Sequence, residues 1–244
     1  GTASYHLEKG QEVGKYTIIE CLRKKDFDKK KYKAIYTATR EGKKYIIESY
    51  DTLYPYLDNL YEQQLAFYQS IHHGILNAPV DAFSEKQTSF LVFPFLEGVT
   101  LQDYLEQQAF LSPHQAWQLL ISIASLLFQL QKREAPIIHG DIKPANILVT
   151  PDFEIYLLDW ESMTHLFSEE QAFNKSKTFP YSSPEQEYQL RLSAKSDLFS
   201  LGMTLIQAVT GQSPDLFIHY PDQKIDAVWK KYAVHSEPLL FKAI

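Results

Sequence analysis

One stretch of eleven residues constrains this chain more than any other part of its sequence. It runs from His139 to Val149 and reads HGDIKPANILV, with an acid, a lysine and an amide at fixed offsets before an apolar strand. A second acid, Asp159, follows thirteen residues after Asn146 in the segment LLDWE. A lone histidine–x–aspartate pattern more often belongs to an ordinary turn. The whole string with Asp159 at this spacing instead indicates a functional site.

The residue types in this stretch are those that phosphoryl transfer requires. The reaction needs a carboxylate that orients a hydroxyl, a cation for the migrating charge and oxygen ligands for Mg²⁺. The segment 139–149 contains one of each, and Asp159 adds a further carboxylate.

Composition excludes several other classes of protein. The chain is 45% apolar and 22% charged, which is typical of a soluble globular protein. Its net charge of −6 argues against a nucleic-acid binder. The single cysteine, Cys21, suits a reducing compartment. No stretch is apolar enough to span a bilayer, so we expect a cytoplasmic protein, or the cytoplasmic part of a longer, anchored one, with no membrane contact from this segment.

The hydrophobic pattern predicts a β-rich lobe followed by a helical lobe, joined near residues 95–98. The predicted strands of the first lobe cover residues 16–22, 32–39, 44–50 and 89–96, with a helix over 55–71. Two long helices are predicted in the second lobe, over 113–132 and 194–209, the second ending at Gly211. The apolar positions noted on the first of these are Trp117, Leu120, Ile121, Ala124, Leu127 and Phe128.

These segments resemble the protein kinase superfamily. The string HGDIKPANILV is similar to its catalytic loop and LLDWE to its metal-binding segment. Residues 178–185 resemble the end of the activation segment, with SPE for APE. Residues 196–202 resemble the buried helix whose aspartate holds the catalytic loop, and 210–214 follow as in protein kinases.

The resemblance covers roughly residues 14–244 and implies an α+β, bilobal protein-kinase-like fold. Residues 1–13 are then a tail or cloning remnant, 14–96 a β-rich N-lobe, and 97–244 a helical C-lobe. The C-lobe is expected to be truncated, with its final helices missing.

The resemblance implies ATP and Mg²⁺ as cofactors and assigns roles within the C-lobe. Asp141 would be the catalytic base, Lys143 would contact the γ-phosphate, and Thr178 would position the substrate hydroxyl. The Mg²⁺ ligands would be Asn146 and Asp159. Lysine and threonine at these positions favour serine or threonine as the acceptor.

It also assigns a nucleotide site. Phe93 would be the gatekeeper, Pro94 would offer its carbonyl to adenine, and Leu96 would supply the hinge N–H. The residues expected to sandwich the adenine ring are Ile35, Ile46 and Leu148.

The glycine-rich phosphate loop of the family is absent. Residues 23–34 contain six lysines and one arginine and no glycine. Such a run is either a solvated, mobile charged turn or a set of side chains that replaces the backbone amides as phosphate ligands.

The strand lysine of the family is also absent, since Glu48 occupies its place. Lys33 stands on the preceding strand, as in the with-no-lysine kinases, and could meet both the phosphates and Glu48. The alternative interpretation is an exposed strand lysine. Glu62 is the expected helix partner of the lysine, with Gln63 as a second register.

Two further departures concern the catalytic segments. Gly140 replaces the arginine that binds an activation-segment phosphate, so control by phosphorylation there is not expected. Trp160 and Glu161 replace Phe-Gly, and together with Gly140 they resemble aminoglycoside phosphotransferases. Glu185 lacks its family partner, an arginine expected beyond residue 244, unless it has found another.

Three hypotheses remain open. The first is an atypical Ser/Thr protein kinase. The second is a pseudokinase that acts as a nucleotide-binding or scaffolding module, and the third is a small-molecule kinase. The expected partner is a protein substrate or a regulated protein and not a nucleic acid, and the sequence leaves the oligomeric state undetermined.

Overall fold

A computed structural model of the chain describes residues 6–27, 31–161, 163–165, 178–187 and 192–218. Contacts between residues divide the chain into two compact units, Gly1–Leu96 and Glu97–Ile244. We refer to them as the N-terminal and the C-terminal unit. The first is built around a β-sheet with one helix and the second around helices with short strands, so the predicted α+β class is confirmed.

The sheet of the N-terminal unit is antiparallel and has the strand order β1-β2-β3-β4-β6-β5. Its strands are β1 (Glu12–Val13), β2 (Tyr16–Phe27), β3 (Lys31–Arg40), β4 (Lys43–Asp51), β5 (Asp81–Glu85) and β6 (Thr88–Pro94). The hairpin between β3 and β4 turns at Glu41 and Gly42, with φ of 51° and 76°. Two positive φ angles in a two-residue loop match the twist of the flanking strands.

The strands β2 and β3 extend further into the charged insertion, residues 23–34, than the sequence predicts. Strand β2 continues to Phe27, which pairs with Lys31 at the start of β3. The predicted charged turn is therefore shorter than expected, because backbone pairing extends the hairpin well beyond residue 22. Arg23 and Lys24 are exposed, in agreement with a solvated segment. Residues 28–30 lie outside the described ranges.

One helix, α1 (Pro55–Ser70), packs on one face of the sheet. Its buried side carries Leu57, Leu60, Tyr61, Gln64 and Phe67. This face of the sheet presents Tyr50, Leu91 and Phe93 to the helix, and the opposite face closes over a separate core with residues from the N-terminal segment. The two faces alternate along each strand, as the pleat requires.

The C-terminal unit contains five helices in its described part. They are α2 (Leu101–Gln108), α3 (Pro113–Gln131), α4 (Pro184–Glu187), α5 (Ala194–Thr210) and α6 (Asp215–Ile218). The short strands are β7 (Val99–Thr100), β8 (Ile137–Ile138), β9 (Ile147–Val149), β10 (Ile155–Leu157) and β11 (Thr164–His165). Ser112 and Ser193 begin α3 and α5 with capping boxes, which satisfy backbone donors at both helix starts.

The buried side of α3 differs from the apolar positions that the sequence suggested. Its buried residues are Ala116, Leu119, Ile123, Leu126, Leu127 and Leu130. Ile121 and Phe128 are each 61% exposed, because apolar residues lie on more than one side of this helix and the pattern does not define a single buried side. No helix in the described ranges is long and apolar enough to cross a membrane.

Gly211 ends α5 in the left-handed conformation, with φ of 70°. A Cβ atom built on it would lie 2.2 Å from the carbonyl oxygen of Ala109, the residue that ends α2. The glycine is therefore required both by the backbone angle and by the close approach of two helix ends.

We expect Gly211→Ala to lower the free energy of unfolding more than Gly42→Ala, measured by denaturant titration. Both residues have positive φ, but nothing lies within 4 Å of a Cβ at Gly42. The left-handed angle costs about 1 kcal/mol at either site. The clash at Gly211 adds about 1–3 kcal/mol. Equal losses would show that the helix ends do not pack as described.

Candidate active site

The carboxylate of Asp197 holds the start of the catalytic-loop segment. It lies on α5, is 1% exposed, and accepts hydrogen bonds from the N–H groups of His139 (2.7 Å) and Gly140 (3.0 Å). Burial raises the pKa of Asp197, while His139 and the two backbone N–H groups act in the opposite direction. The predicted role of the aspartate in 196–202 agrees with these contacts.

The ring of His139 fixes the next residue. Its Nδ1 accepts a hydrogen bond from the Asp141 N–H at 3.0 Å, so the ring proton belongs on Nε2, which lies 2.9 Å from the Leu158 carbonyl oxygen. The buried Trp160 ring packs edge-on against the imidazole, with centroids 4.5 Å apart. Histidine thus links the loop to the segment that carries Asp159.

Three predicted side chains of the C-terminal unit come together around Asp141. Its Oδ1 accepts from the Thr178 hydroxyl at 2.9 Å, and its Oδ2 lies 3.4 Å from Lys143 Nζ and 3.2 Å from Asn146 Nδ2. Lys143 also donates to Thr178 Oγ1 at 3.2 Å. The carboxylate is therefore surrounded by one cation, one hydroxyl and one amide.

The hairpin of β9 and β10 brings Asn146 and Asp159 to the same end. Leu157 pairs with Ile147, and the Leu158 N–H donates to the Asn146 carbonyl at 2.8 Å. The side-chain amide of Asn146 also donates to the Asp141 backbone carbonyl at 2.8 Å. This orientation commits its NH₂ group and leaves the amide oxygen as the atom available to a metal.

The tryptophan that replaces phenylalanine after Asp159 fixes the position of this segment. Trp160 is 1% exposed, and its Nε1 donates to the Leu157 carbonyl at 3.1 Å. Asp159 itself has a φ of 58°, an uncommon angle for a residue other than glycine. Burial of the following ring holds this segment against the hairpin.

Glu185 has a partner within the described residues. The Ser196 hydroxyl, in the first turn of α5, donates to Glu185 Oε1 at 2.7 Å. Desolvation acts to raise the pKa of Glu185, but hydrogen bonds from Ser196 and from its own backbone N–H act in the opposite direction, and that pKa lies below its ordinary value. Ser196 is thus a partner of Glu185 within the described residues, as the second expectation anticipated.

In the N-terminal unit, Lys33 is buried and paired. It is 3% exposed, and its Nζ lies 3.2 Å from Glu48 Oε2 and 5.1 Å from the centre of the Tyr50 ring. The Tyr50 hydroxyl donates to the same Glu48 oxygen at 2.7 Å. The expected contact with Glu48 is confirmed, and the interpretation of Lys33 as an exposed lysine is wrong.

Glu62 is not the partner of Lys33. Helix α1 turns Gln64 inward, at 3% exposed, and leaves Glu62 and Gln63 exposed. The helix buries positions spaced three or four apart from Leu57, and Glu62 falls outside that set. The polar residue that sequence reasoning missed on the sheet is Tyr50, which shares a face with Glu48 by the alternation of β4.

The predicted gatekeeper and hinge residues lie at the end of β6 and just after it. Phe93 is buried against Tyr68, with ring centroids 5.6 Å apart. The Pro94 carbonyl accepts from Asn77 Nδ2 at 3.0 Å, so one of its two lone pairs is in use. The Leu96 N–H has no acceptor among the described residues. The three residues expected around adenine are each half-buried: Ile35, Ile46 and Leu148.

Comparison with known proteins identifies the family. The family model for the protein kinase domain matches residues 12–233, which is most of the chain. The chain therefore belongs to the protein kinase domain family, whose members in general use ATP and Mg²⁺.

Similar curated proteins include several kinases. A probable leucine-rich-repeat receptor-like serine/threonine-protein kinase of Arabidopsis thaliana is 26% identical over 161 residues, 63% of this chain and 29% of its own length. Serine/threonine-protein kinase PrkC of Bacillus subtilis is 30% identical over 147 residues, 59% of this chain and 22% of its own length. U-box domain-containing protein 35 of Arabidopsis thaliana is 26% identical over 211 residues, which are 80% of this chain and 25% of its own length. The matched parts are thus less than a third of these relatives.

We expect Asp197→Asn to destabilise the C-terminal unit by about 2–4 kcal/mol, because the new NH₂ group faces a backbone N–H and a buried charge-assisted bond is lost. Urea unfolding measures the change. Asp152→Asn, in an exposed turn, is the control and should have an effect below about 0.5 kcal/mol. Similar curves for both variants would contradict the role of Asp197.

Proposed function

We propose that the chain is an atypical but active Ser/Thr protein kinase that transfers the γ-phosphate of ATP to a protein hydroxyl. The observation that carries this proposal is the set of contacts around Asp141. A carboxylate within 3.4 Å of a lysine ammonium and 2.9 Å of a threonine hydroxyl matches the needs of phosphoryl transfer.

Asp141 acts as the catalytic base. Each carboxylate oxygen can accept two hydrogen bonds, and Oδ1 accepts one, from Thr178. The remaining lone pair of Oδ1 accepts the hydroxyl proton of a serine or threonine substrate. Lys143 contacts both Asp141 and Thr178, which keeps its ammonium beside the substrate hydroxyl. There it neutralises charge on the transferred phosphate.

The donor set at the end of the β9–β10 hairpin fits Mg²⁺. An amide oxygen of Asn146, oriented by its committed NH₂ group, and the Asp159 carboxylate are hard oxygen ligands of the type that this ion prefers. When bound, Mg²⁺ neutralises charge on the phosphates. The residues that hold it are thus fixed by backbone pairing and by Asp141.

The N-terminal unit supplies nucleotide contacts in this proposal. Lys33 provides the phosphate-binding cation that Glu48 cannot, and the Leu96 N–H and the Pro94 carbonyl are available to adenine. Phe93 bounds the adenine site as gatekeeper. The apolar contacts to the ring from this unit come from Ile35 and Ile46.

Asp141→Asn is expected to lower kcat for phosphate transfer by about 10²–10⁴-fold, because an amide cannot accept the hydroxyl proton. Transfer from labelled ATP to a generic protein substrate measures the loss, with Asp152→Asn as the exposed control. Since asparagine preserves the shape of the site, the melting temperature should change little. A variant with wild-type turnover would remove Asp141 from the mechanism.

Lys33→Met is expected to weaken ATP binding roughly ten- to a hundredfold, while Lys24→Met should have less than about a twofold effect. Lys24 lies on β2 of the same hairpin but is exposed. Calorimetric titration with Mg²⁺-ATP measures both affinities. Glu48→Lys, added to Lys33→Met, should restore part of the binding, because it returns a cation to the neighbouring strand.

A pseudokinase is the second candidate, and one observation favours it. Lys33 is 3% exposed and already has Glu48 as its counter-ion, so its charge is compensated without a nucleotide. If Lys33→Met and Lys24→Met bind ATP equally and wild type transfers no phosphate, the scaffolding function is the better description. The family model that matches is for protein kinases, so the small-molecule kinase hypothesis is not carried further.

A further inference from the structure

Gln186 is a buried amide whose contacts lie at the catalytic loop. It belongs to α4, directly after Glu185, and is 2% exposed. Its Nε2 donates to the Gly140 carbonyl at 2.9 Å, and its Oε1 accepts from the Ser183 N–H at 3.0 Å. A backbone donor on one side and a backbone acceptor on the other define which way the amide faces.

The carbonyl that Gln186 holds belongs to the peptide unit that joins Gly140 to Asp141. The N–H of the same peptide unit donates to His139 Nδ1 at 3.0 Å. Both polar groups of this peptide are therefore held by side chains. Gly140 has a φ of 88°, so other backbone angles are accessible to it at little cost, and the two hydrogen bonds select one of them.

The orientation of this peptide decides where the Asp141 carboxylate lies. The Asp141 side chain leaves the backbone at the next Cα atom, so a rotation of the peptide moves the carboxylate relative to Lys143, Thr178 and Asn146. Without Gln186 the buried Gly140 carbonyl would lack its partner, and the loop would rearrange to find another.

We propose that Gln186 is a positioning residue that holds the Gly140–Asp141 peptide in the orientation required for phosphoryl transfer. The proposal rests on the proposed function of Asp141. The hydrogen bond from Gln186 links the SPE segment to the catalytic loop directly, through a neutral amide. No phosphate takes part in this link, in agreement with the glycine that replaces the phosphate-binding arginine.

The test compares Gln186→Leu with Gln118→Leu. Gln118 also donates its amide to a backbone carbonyl, that of Phe153 at 2.6 Å, but at the far end of the β9–β10 hairpin. We expect Gln186→Leu to lower kcat roughly 10- to 100-fold with an unchanged KM for ATP, because the reacting group is displaced and the nucleotide contacts are not. Gln118→Leu should keep wild-type kcat. Equal kcat in both variants would overturn the proposal.

Gln186→Glu is the second variant. Its ionised carboxylate cannot donate to the Gly140 carbonyl, but its protonated form can. The ratio of its kcat to that of wild type should therefore rise as pH falls from about 8 to about 6, since burial raises the pKa of a carboxyl group. A ratio that does not change with pH would contradict a hydrogen-bonding role and leave only a packing role.

Amide hydrogen exchange separates this proposal from the proposed function. Exchange in peptides covering residues 139–146 should be faster in Gln186→Leu than in Gln118→Leu, with α3 and α5 equally protected in both. If wild type transfers no phosphate, the proposed function fails, and this measurement alone decides the role of Gln186. Unchanged exchange in the loop would then refute it.

Discussion

The two hydrogen bonds that Asp197 accepts from the backbone of His139 and Gly140 are the constraint on which the arrangement around Asp141 depends. A carboxylate that is 1% exposed is stable only when its lone pairs are occupied, and the two N–H groups occupy one on each oxygen. The aspartate is carried by α5, whose position is fixed by a capping box and by Gly211. The packing of α5 therefore helps to determine the position of the loop that carries Asp141.

From this anchor the contacts continue outward in order. His139 holds the Asp141 N–H and reaches Leu158, the residue before Asp159. Asn146 then connects the backbone and the carboxylate of Asp141 to the β9–β10 hairpin. Asp197, His139 and Asn146 each have a backbone partner, and the Asp141 carboxylate is held by side chains. Together these contacts explain how several loops maintain one arrangement without a continuous secondary structure.

In the N-terminal unit, the lysine stands on β3 instead of on β4. A glutamate stands where the family has its strand lysine, and the adjacent strand supplies a lysine whose ammonium reaches that glutamate. Cross-strand neighbours on one face of a sheet are close enough for such an exchange. Tyr50 supports the pair by donating to Glu48 and by placing its ring beside the ammonium. Lys33 and Glu48 therefore still form a neutral ion pair, although both residues differ from the family pattern.

Much of the fold could be predicted from sequence because strong local signals mark it. Proline at the start and apolar spacing identify α1 and α3, and Gly211 identifies the end of α5. Helix α2 was missed although Thr100 caps it by accepting from the Asp103 N–H, because eight mostly polar residues give no clear periodicity. Strand β5 was missed for the same reason, since DAFSE contains only two apolar residues.

The site was predictable to the extent that its residues lie in one motif. The segment 139–149 identifies Asp141, Lys143 and Asn146, whose contacts with one another are local in sequence. The contact of Lys33 with Glu48 follows from strand spacing, but Glu62 was wrongly expected as its helix partner, because the side of α1 that faces the sheet depends on tertiary packing. Gln186 was missed because its acceptor lies 46 residues away along the chain, and no local pattern reports such a contact.

The most direct test of the central claim, that this chain retains a working metal–nucleotide site, is calorimetric titration with ATP in the presence and absence of Mg²⁺ for wild type and Asp159→Ala. We predict that wild type binds ATP more tightly with Mg²⁺ and that Asp159→Ala loses this dependence, because the Asp159 carboxylate would hold the ion that neutralises charge on the phosphates. Absence of binding by wild type at millimolar ATP, or equal dependence on Mg²⁺ in both proteins, would contradict it.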